Sequence, residues 1–260
     1  MNRPKKIIDY FLPFFVSVLY IFLYLPIIVL ILFSFNKNAF TYQWKGFTIE
    51  WYYALFESSE VWSALSNSLL VAFISVVLSI SMGALLVFFS TRIKRLLLLF
   101  YGSLAIPEIV LAVGMLSFFA LTQIPLGITA LIAGHTLLGL GYVIPIIYIR
   151  FNELSSELIE ASLDLGASQV QTFFRIVLPW LAPALFAASL LVFIISFDDF
   201  VISFFCTSAA SQTLPIYIFS MIRAGEMPIV SALSTVLLFV SSLFVLLFSA
   251  LQIKRIGLGR

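Results

Sequence analysis

The sequence predicts an all-α integral membrane protein of about six transmembrane helices, and three observations carry that prediction. Of 260 residues, 62% are hydrophobic and 10% charged, with a mean hydropathy of +1.16; a soluble domain has roughly 45–50% apolar and about 25% charged residues. The apolar residues gather in long runs, each near the about 20 residues that cross a hydrocarbon core of about 30 Å. The runs are continuous rather than alternating, which excludes barrel strands, and lipid demands that backbone groups be bonded within their own segment. No length remains for a soluble catalytic domain. Single copies of cysteine (Cys206) and histidine (His135) argue against an internal disulfide, a metal cage or triad chemistry, so no catalytic or metal-ligating set is expected.

The spans are expected at Phe11 to Phe35, Ser63 to Ser90, Leu96 to Leu121, Ile128 to Ile149, Leu181 to Phe205 and Ile229 to Ile253. The first follows a basic tail, but no small-residue cleavage site succeeds it, so it reads as an uncleaved helix rather than a signal peptide. Asn36 to Trp62, the longest external connection, holds Trp44, Trp51, Tyr52 and Tyr53, residues that favour the membrane interface. It is expected to be partly helical, as an anchor or a ledge for an external partner. Pro13, Pro26, Pro107, Pro145 and Pro183 fall within or at the ends of spans, where neighbours can satisfy freed carbonyls. Gly114, Gly134, Gly139 and Gly141, with Ser68, Ser75, Ser79 and Ser81, offer small surfaces for close helix approach.

Orientation follows from basic residues. Arg3, Lys5 and Lys6, then Arg92, Lys94 and Arg95, then Arg150 and Arg175, and finally Lys254, Arg255 and Arg260 share one side; Lys37, Lys45 and Arg223 take the other. The positive-inside rule places both termini and the Arg150 to Pro179 connection in the cytoplasm.

That connection interrupts the apolar pattern with an amphipathic, acidic segment. Leu154, Leu158, Ala161 and Leu165 share a helical face, and Glu153, Glu157, Glu160 and Asp164 decorate the others. Ser155 or Ser156 can cap the start and Gly166 suits the residue after a helix end. A second short helix is expected from Ser168 to about Val177, with Val170, Phe173, Phe174 and Val177 as its apolar face, stopping before Pro179. A helix-turn-helix is a shape that can read DNA, but four acids against two arginines repel phosphate. Two apolar helix faces on a short loop suit insertion into another protein's groove.

Glu160, Ala161, Ser162, then Gly166, then Ile176, Leu178 and Pro179 stand at fixed spacing and resemble the EAA loop of ABC importer permeases, with Ser162 in place of the second alanine. The resemblance implies the type I importer permease fold: a single transmembrane permease domain over residues 1–260, with a cytoplasmic coupling loop at about 150–179. It implies that this loop docks on an ATPase subunit, with Glu160 and Gly166 at its centre. The chain has no Gly-Lys pair, so it lacks a phosphate-cradling loop; ATP and Mg²⁺ are expected on a partner chain, and no cofactor on this one.

Acids within spans cost about 2.5–3.5 kcal/mol each and are functional by default. Glu108 is expected near mid-membrane, with Asp198 and Asp199 nearer the external mouth. No lysine or arginine lies at their depth in the sequence, which suits a path for a multiply charged cation. Neighbouring helical positions diverge by about 100°, so one Asp of the pair is expected to face the path. His135 reads as a polar packing residue rather than a proton relay.

Gly46-Phe47-Thr48 with Trp51-Tyr52, Pro107-Glu108-Ile109-Val110, Asp164 to Ser168, Asp198-Asp199, and Leu214-Pro215 followed by Ser220-Met221, Gly225 and Pro228 together resemble the spermidine/putrescine ABC importer permeases, of the C-type of their two permease subunits. The likeness runs over nearly the whole chain. Glu108 stands where the family often has aspartate, and Ser208 where glycine is common. The resemblance implies a bacterial inner membrane, a second permease of the B-type, a pair of ATPase subunits and a periplasmic polyamine-binding protein. Two rivals make different demands. An importer of another solute, such as an oxyanion or ferric ion, keeps the EAA loop, but an anion path calls for basic residues or helix N-termini. A proton-coupled cation transporter with Glu108 as relay leaves the EAA loop unexplained.

Overall fold

A computed structural model describes residues 8–38, 43–90 and 93–257. The chain divides into two units, one made of residues 1–59 and 218–260 and the other of residues 60–217. Arg3, Lys5, Lys6, Arg92 and Arg260, which belong to the orientation argument, lie outside the described residues.

In the first unit, α1 (Ile8–Phe33) and α2 (Glu50–Glu57) pack against a long terminal helix, α12 (Met227–Gly257). The Asn36 to Trp62 connection is partly helical, as its sequence predicts, the helical part being α2, and its first part is folded around Asn36, which is 1% exposed. The Asn36 side chain accepts from the Lys45 N–H at 3.0 Å and donates to the Gln43 carbonyl at 2.9 Å. Its own carbonyl receives the Trp51 indole N–H at 2.8 Å. A buried amide that makes these bonds avoids a desolvation cost of about 1–3 kcal/mol and holds the interfacial Trp51 in place.

In the second unit the elements in chain order are α3 (Ser59–Phe89), α4 (Ile93–Ala105), α5 (Glu108–Leu121), α6 (Ile128–Asn152), α7 (Ser156–Asp164), α8 (Gln169–Thr172), a π turn at Phe173–Val177, α9 (Leu178–Asp198) and α10 (Val201–Cys206). A further helix, α11 (Leu214–Ala224), follows. Among the described residues five helices are long and apolar enough to cross a membrane, and α4 with α5 makes a sixth, bent candidate.

The small residues act largely as expected. Ser75 and Ser79 of α3 donate to the Ile132 and Thr136 carbonyls of α6 at 3.3 and 3.0 Å, and Ser68 accepts the Leu214 N–H at 2.7 Å. A Cβ on Gly139 would collide with Ser79 Oγ and stand 2.9 Å from Val192. Gly114 and Ser81 do not share this role: nothing lies within 4 Å of a Cβ on Gly114, and Ser81 is exposed. Below this contact Val143, Ile144, Ile147, Leu181 and Val192 form one core; Val71, Ala130, Leu131 and Ile202 form a second. Gly139→Ala should therefore overpack a filled contact, at about 1–3 kcal/mol. Thermal unfolding of the purified variant should begin earlier, with partial relief on adding Ser79→Ala.

Three expectations need correction. The third span is not continuous: α4 and α5 meet at an angle of 111°, because Pro107 has no N–H and forces extended backbone around itself (φ −55, ψ 132). The fifth span also breaks, at Asp199 (ψ 123), between α9 and α10. Conversely, the short helix expected to stop before Pro179 runs on, from Gln169 through the π turn to Asp198. Within the turn the Leu178 N–H bonds to Phe173, five residues back. This wider turn makes room ahead of Pro179, whose ring would press on the preceding turn of a regular helix.

Candidate substrate cavity and coupling loop

The two helix breaks lie at one place. A cavity of about 560 Å³ opens between them, lined by Glu108, Asp198 and Asp199 with Ser103, Tyr142 and Ile194 among its walls. Sequence position separates Glu108 from the Asp pair by depth, whereas the breaks bring all three acids to the same cavity. Among the described residues lining it, none is lysine or arginine.

The acids differ in what they do there. Glu108 opens α5 and Asp199 precedes α10, so each meets the positive end of a helix dipole. Asp199 is 6% exposed. Its Oδ2 accepts the Ser203 N–H at 2.8 Å and its Oδ1 the Ile202 N–H at 3.3 Å, capping α10 much as an N-cap aspartate does. His135 Nε2 lies 3.2 Å from Asp199 Oδ2. The sequence reading of three uncompensated acids therefore fails at Asp199, whose partners are a histidine and two backbone amides. Glu108 lies within interaction range of Asp199. Asp198 is exposed and lines the cavity, which decides which of the pair is open to a solute. The divergence of helical neighbours is not the reason: the helix ends at Asp198 and the next residue is extended. The ends of α4 and α9, whose last carbonyls carry negative dipole charge, close on the same space.

Beyond α10 the chain turns through a hydroxyl network. Ser208 N–H donates to Ser211 Oγ at 3.0 Å, the two hydroxyls meet at 2.8 Å, and Thr207 Oγ1 donates to the Ser211 carbonyl at 2.8 Å. A serine at 208 is thus used by the loop it closes.

The 150–179 segment has the geometry of a rigid protrusion. Ser155 caps α7 by accepting the Glu157 N–H, and Gly166 turns the chain at φ +85, a conformation costly for other residues. Ser168 and Gln171 form a capping box at the start of α8. Ser162 Oγ and Thr172 Oγ1 meet at 2.9 Å, tying the two arms together, so the serine in the second alanine position makes a bond that alanine cannot. At the base, Trp180 Nε1 donates to the Arg150 carbonyl at 3.2 Å while the Arg150 guanidinium covers the Trp180 ring at 4.2 Å.

Within the protrusion the residues divide by direction. Leu154, Phe173 and Val177 are buried, and Ile159, Ile176 and Leu178 pack on the same core. Glu160, Ala161, Gly166 and Pro179 are exposed, as are Leu158 at 53% and Leu165 at 89%. Leu154 thus leaves the exposed apolar face expected for α7, and Phe173 and Val177 leave that of the second helix, while Val170 and Phe174 remain outside.

Comparison with known proteins identifies the family and the fold. The family described as "Binding-protein-dependent transport system inner membrane component" matches residues 75–257. The spermidine/putrescine transport system permease protein PotC of Haemophilus influenzae is 37% identical, over 90% of this chain and 93% of the relative. The putrescine transport system permease protein PotI of Escherichia coli is 30% identical, over 84% of this chain and 82% of the relative. In fold, the chain matches a bacterial ABC transporter involved in the import of the acidic polysaccharide alginate, with a TM-score of 0.72 at 14% identity, covering 96% of this chain and 99% of that one. The apolar spans, the importer fold and the family match lead to one conclusion: the chain belongs to the inner membrane components of binding-protein-dependent transport systems, as a multi-pass transport permease.

Proposed function

We propose that this chain is the permease subunit through which an ABC importer moves polyamines, spermidine and putrescine, across the bacterial inner membrane. The observation that carries the substrate class is the cavity at the two helix breaks, where three carboxylates and two helix C-termini converge and, among the described residues, no basic residue lines the wall. The resemblance to PotC and PotI, named for spermidine/putrescine and putrescine transport, supports the same reading.

Asp198 and Glu108 receive the ammonium groups of the substrate; Asp199 shapes the break and adds its charge from behind. Residues 1–260 act as one permease domain, with both termini and the 150–179 loop on the cytoplasmic side. The partners are a B-type permease that completes the path, two ATPase subunits that bind ATP and Mg²⁺, and a periplasmic polyamine-binding protein that delivers the substrate. The loop, with Glu160, Ala161 and Gly166 outward and Ser162, Ile176, Leu178 and Pro179 shaping its fold, transmits ATP binding and hydrolysis to the helices, so that the cavity opens alternately to either side.

The test is uptake of labelled spermidine and putrescine by cells that lack endogenous polyamine import and express this chain with its genomic neighbours. ATP-dependent uptake of either polyamine is expected. An assembled transporter that takes up neither would overturn the substrate class and leave the family assignment standing.

A further inference from the structure

The cavity leaves one buried polar side chain beside it without a role. His135, on α6, is 1% exposed, and an imidazole at that depth needs both nitrogens answered. Nδ1 lies 2.6 Å from Ser196 Oγ, in the last turn of α9. Nε2 lies 3.2 Å from Asp199 Oδ2, at the break, and 3.3 Å from Ser203 Oγ, in α10. One ring therefore touches the end of one helix, the break, and the start of the next. A proton on Nε2 satisfies the set: Nε2–H donates to Asp199, and the Ser196 hydroxyl donates to Nδ1.

The consequence concerns orientation. Asp199 Oδ2 receives His135 and the Ser203 N–H, and Oδ1 receives the Ile202 N–H. Asp199 could turn toward the cavity only by leaving buried donors unpaired. Because Asp198 directly precedes it, the extended backbone at Asp199 also sets where the Asp198 carboxylate stands. A leucine at 135 would fill comparable volume but give Asp199 and Ser196 no partner. A glutamine can still donate an amide N–H toward Asp199; an asparagine is shorter.

We propose that His135 is a positioning residue for transport: it holds Asp199 across the break between α9 and α10, and so fixes the placement of Asp198 for a cationic substrate. The proposal rests on the cation-path reading given above, and its test has an arm independent of transport. In the assembled, purified transporter carrying Cys206→Ser and Asp198→Cys, the rate at which a cationic thiol reagent modifies position 198 is followed by the mass of this chain. His135→Leu should change that rate several-fold and His135→Gln should return it toward the parent rate. Unchanged rates in His135→Leu would overturn the proposal. If His135→Leu does not assemble, His135→Gln and His135→Asn decide: Gln should match the parent and Asn should not, and equal rates for the two would overturn it.

In the native-cavity background, His135→Leu should raise the KM for spermidine about tenfold, the scale of one lost hydrogen bond to a charged group, with His135→Gln rescuing it. A fall in maximal rate alone, at unchanged KM, would mean that His135 serves only folding. Should the parent transporter take up neither polyamine, the substrate reading fails, while the thiol-reaction rates still decide the role of His135.

Discussion

Replacing Asp198 by asparagine is expected to lower spermidine uptake by about ten- to a hundredfold, since a charge-assisted hydrogen bond to a substrate ammonium contributes about 1.5–3 kcal/mol. The substitution keeps shape and removes charge. Asp198 is the suitable target because it lines the cavity and caps no helix, so its loss should not disturb the break. Glu108→Gln should act in the same direction. Asp199→Asn should behave differently, because Asp199 holds the Ser203 and Ile202 amides and faces His135. Its first effect should be on the amount of assembled transporter, measured by immunoblot of the membrane fraction beside the uptake assay. Uptake by Asp198→Asn at the parental rate, at parental protein levels, would remove Asp198 from the path.

The second large effect is expected in the loop. Gly166 has φ +85, where a β-branched residue carries strain of about 1–3 kcal/mol, and no neighbour lies within 4 Å of a Cβ there. Gly166→Val should therefore reshape the turn between α7 and α8 without a collision. ATPase subunits should no longer co-purify, and uptake should fall to background, while the chain still inserts in the membrane. Gly166→Asn should retain much of both activities, since asparagine adopts this conformation more readily than other non-glycine residues. Full co-purification and uptake in Gly166→Val would separate the turn from coupling.

Local patterns were enough to anticipate much of this fold. The apolar runs gave the spans to within a few residues at most ends, and a serine cap at 155 or 156 and the Gly166 turn followed from residue type; the break at Pro107 had a signal in the proline itself, although the third span reads as continuous. The break at Asp199 was harder to see. Phe197 to Phe205 contains neither proline nor glycine, and an aspartate ahead of apolar residues reads equally as a helix cap or as an acid within a span. Only tertiary placement resolves it, by putting His135, 64 positions earlier in the chain, against Asp199. The same long-range contact explains why the sequence reading left that acid uncompensated. The π turn before Pro179 has no comparable signature, because it depends on how the helix leaving the loop must continue into the span.

The most direct test of the acidic cavity as the path is a paired measurement on reconstituted transporter: ATP turnover and spermidine uptake from the same proteoliposomes, for the parent and for Glu108→Gln with Asp198→Asn. The account predicts that the double variant assembles with its ATPase and turns over ATP, yet moves spermidine at a small fraction of the parental rate. Parental uptake by the double variant would contradict it and place the path elsewhere in the transporter.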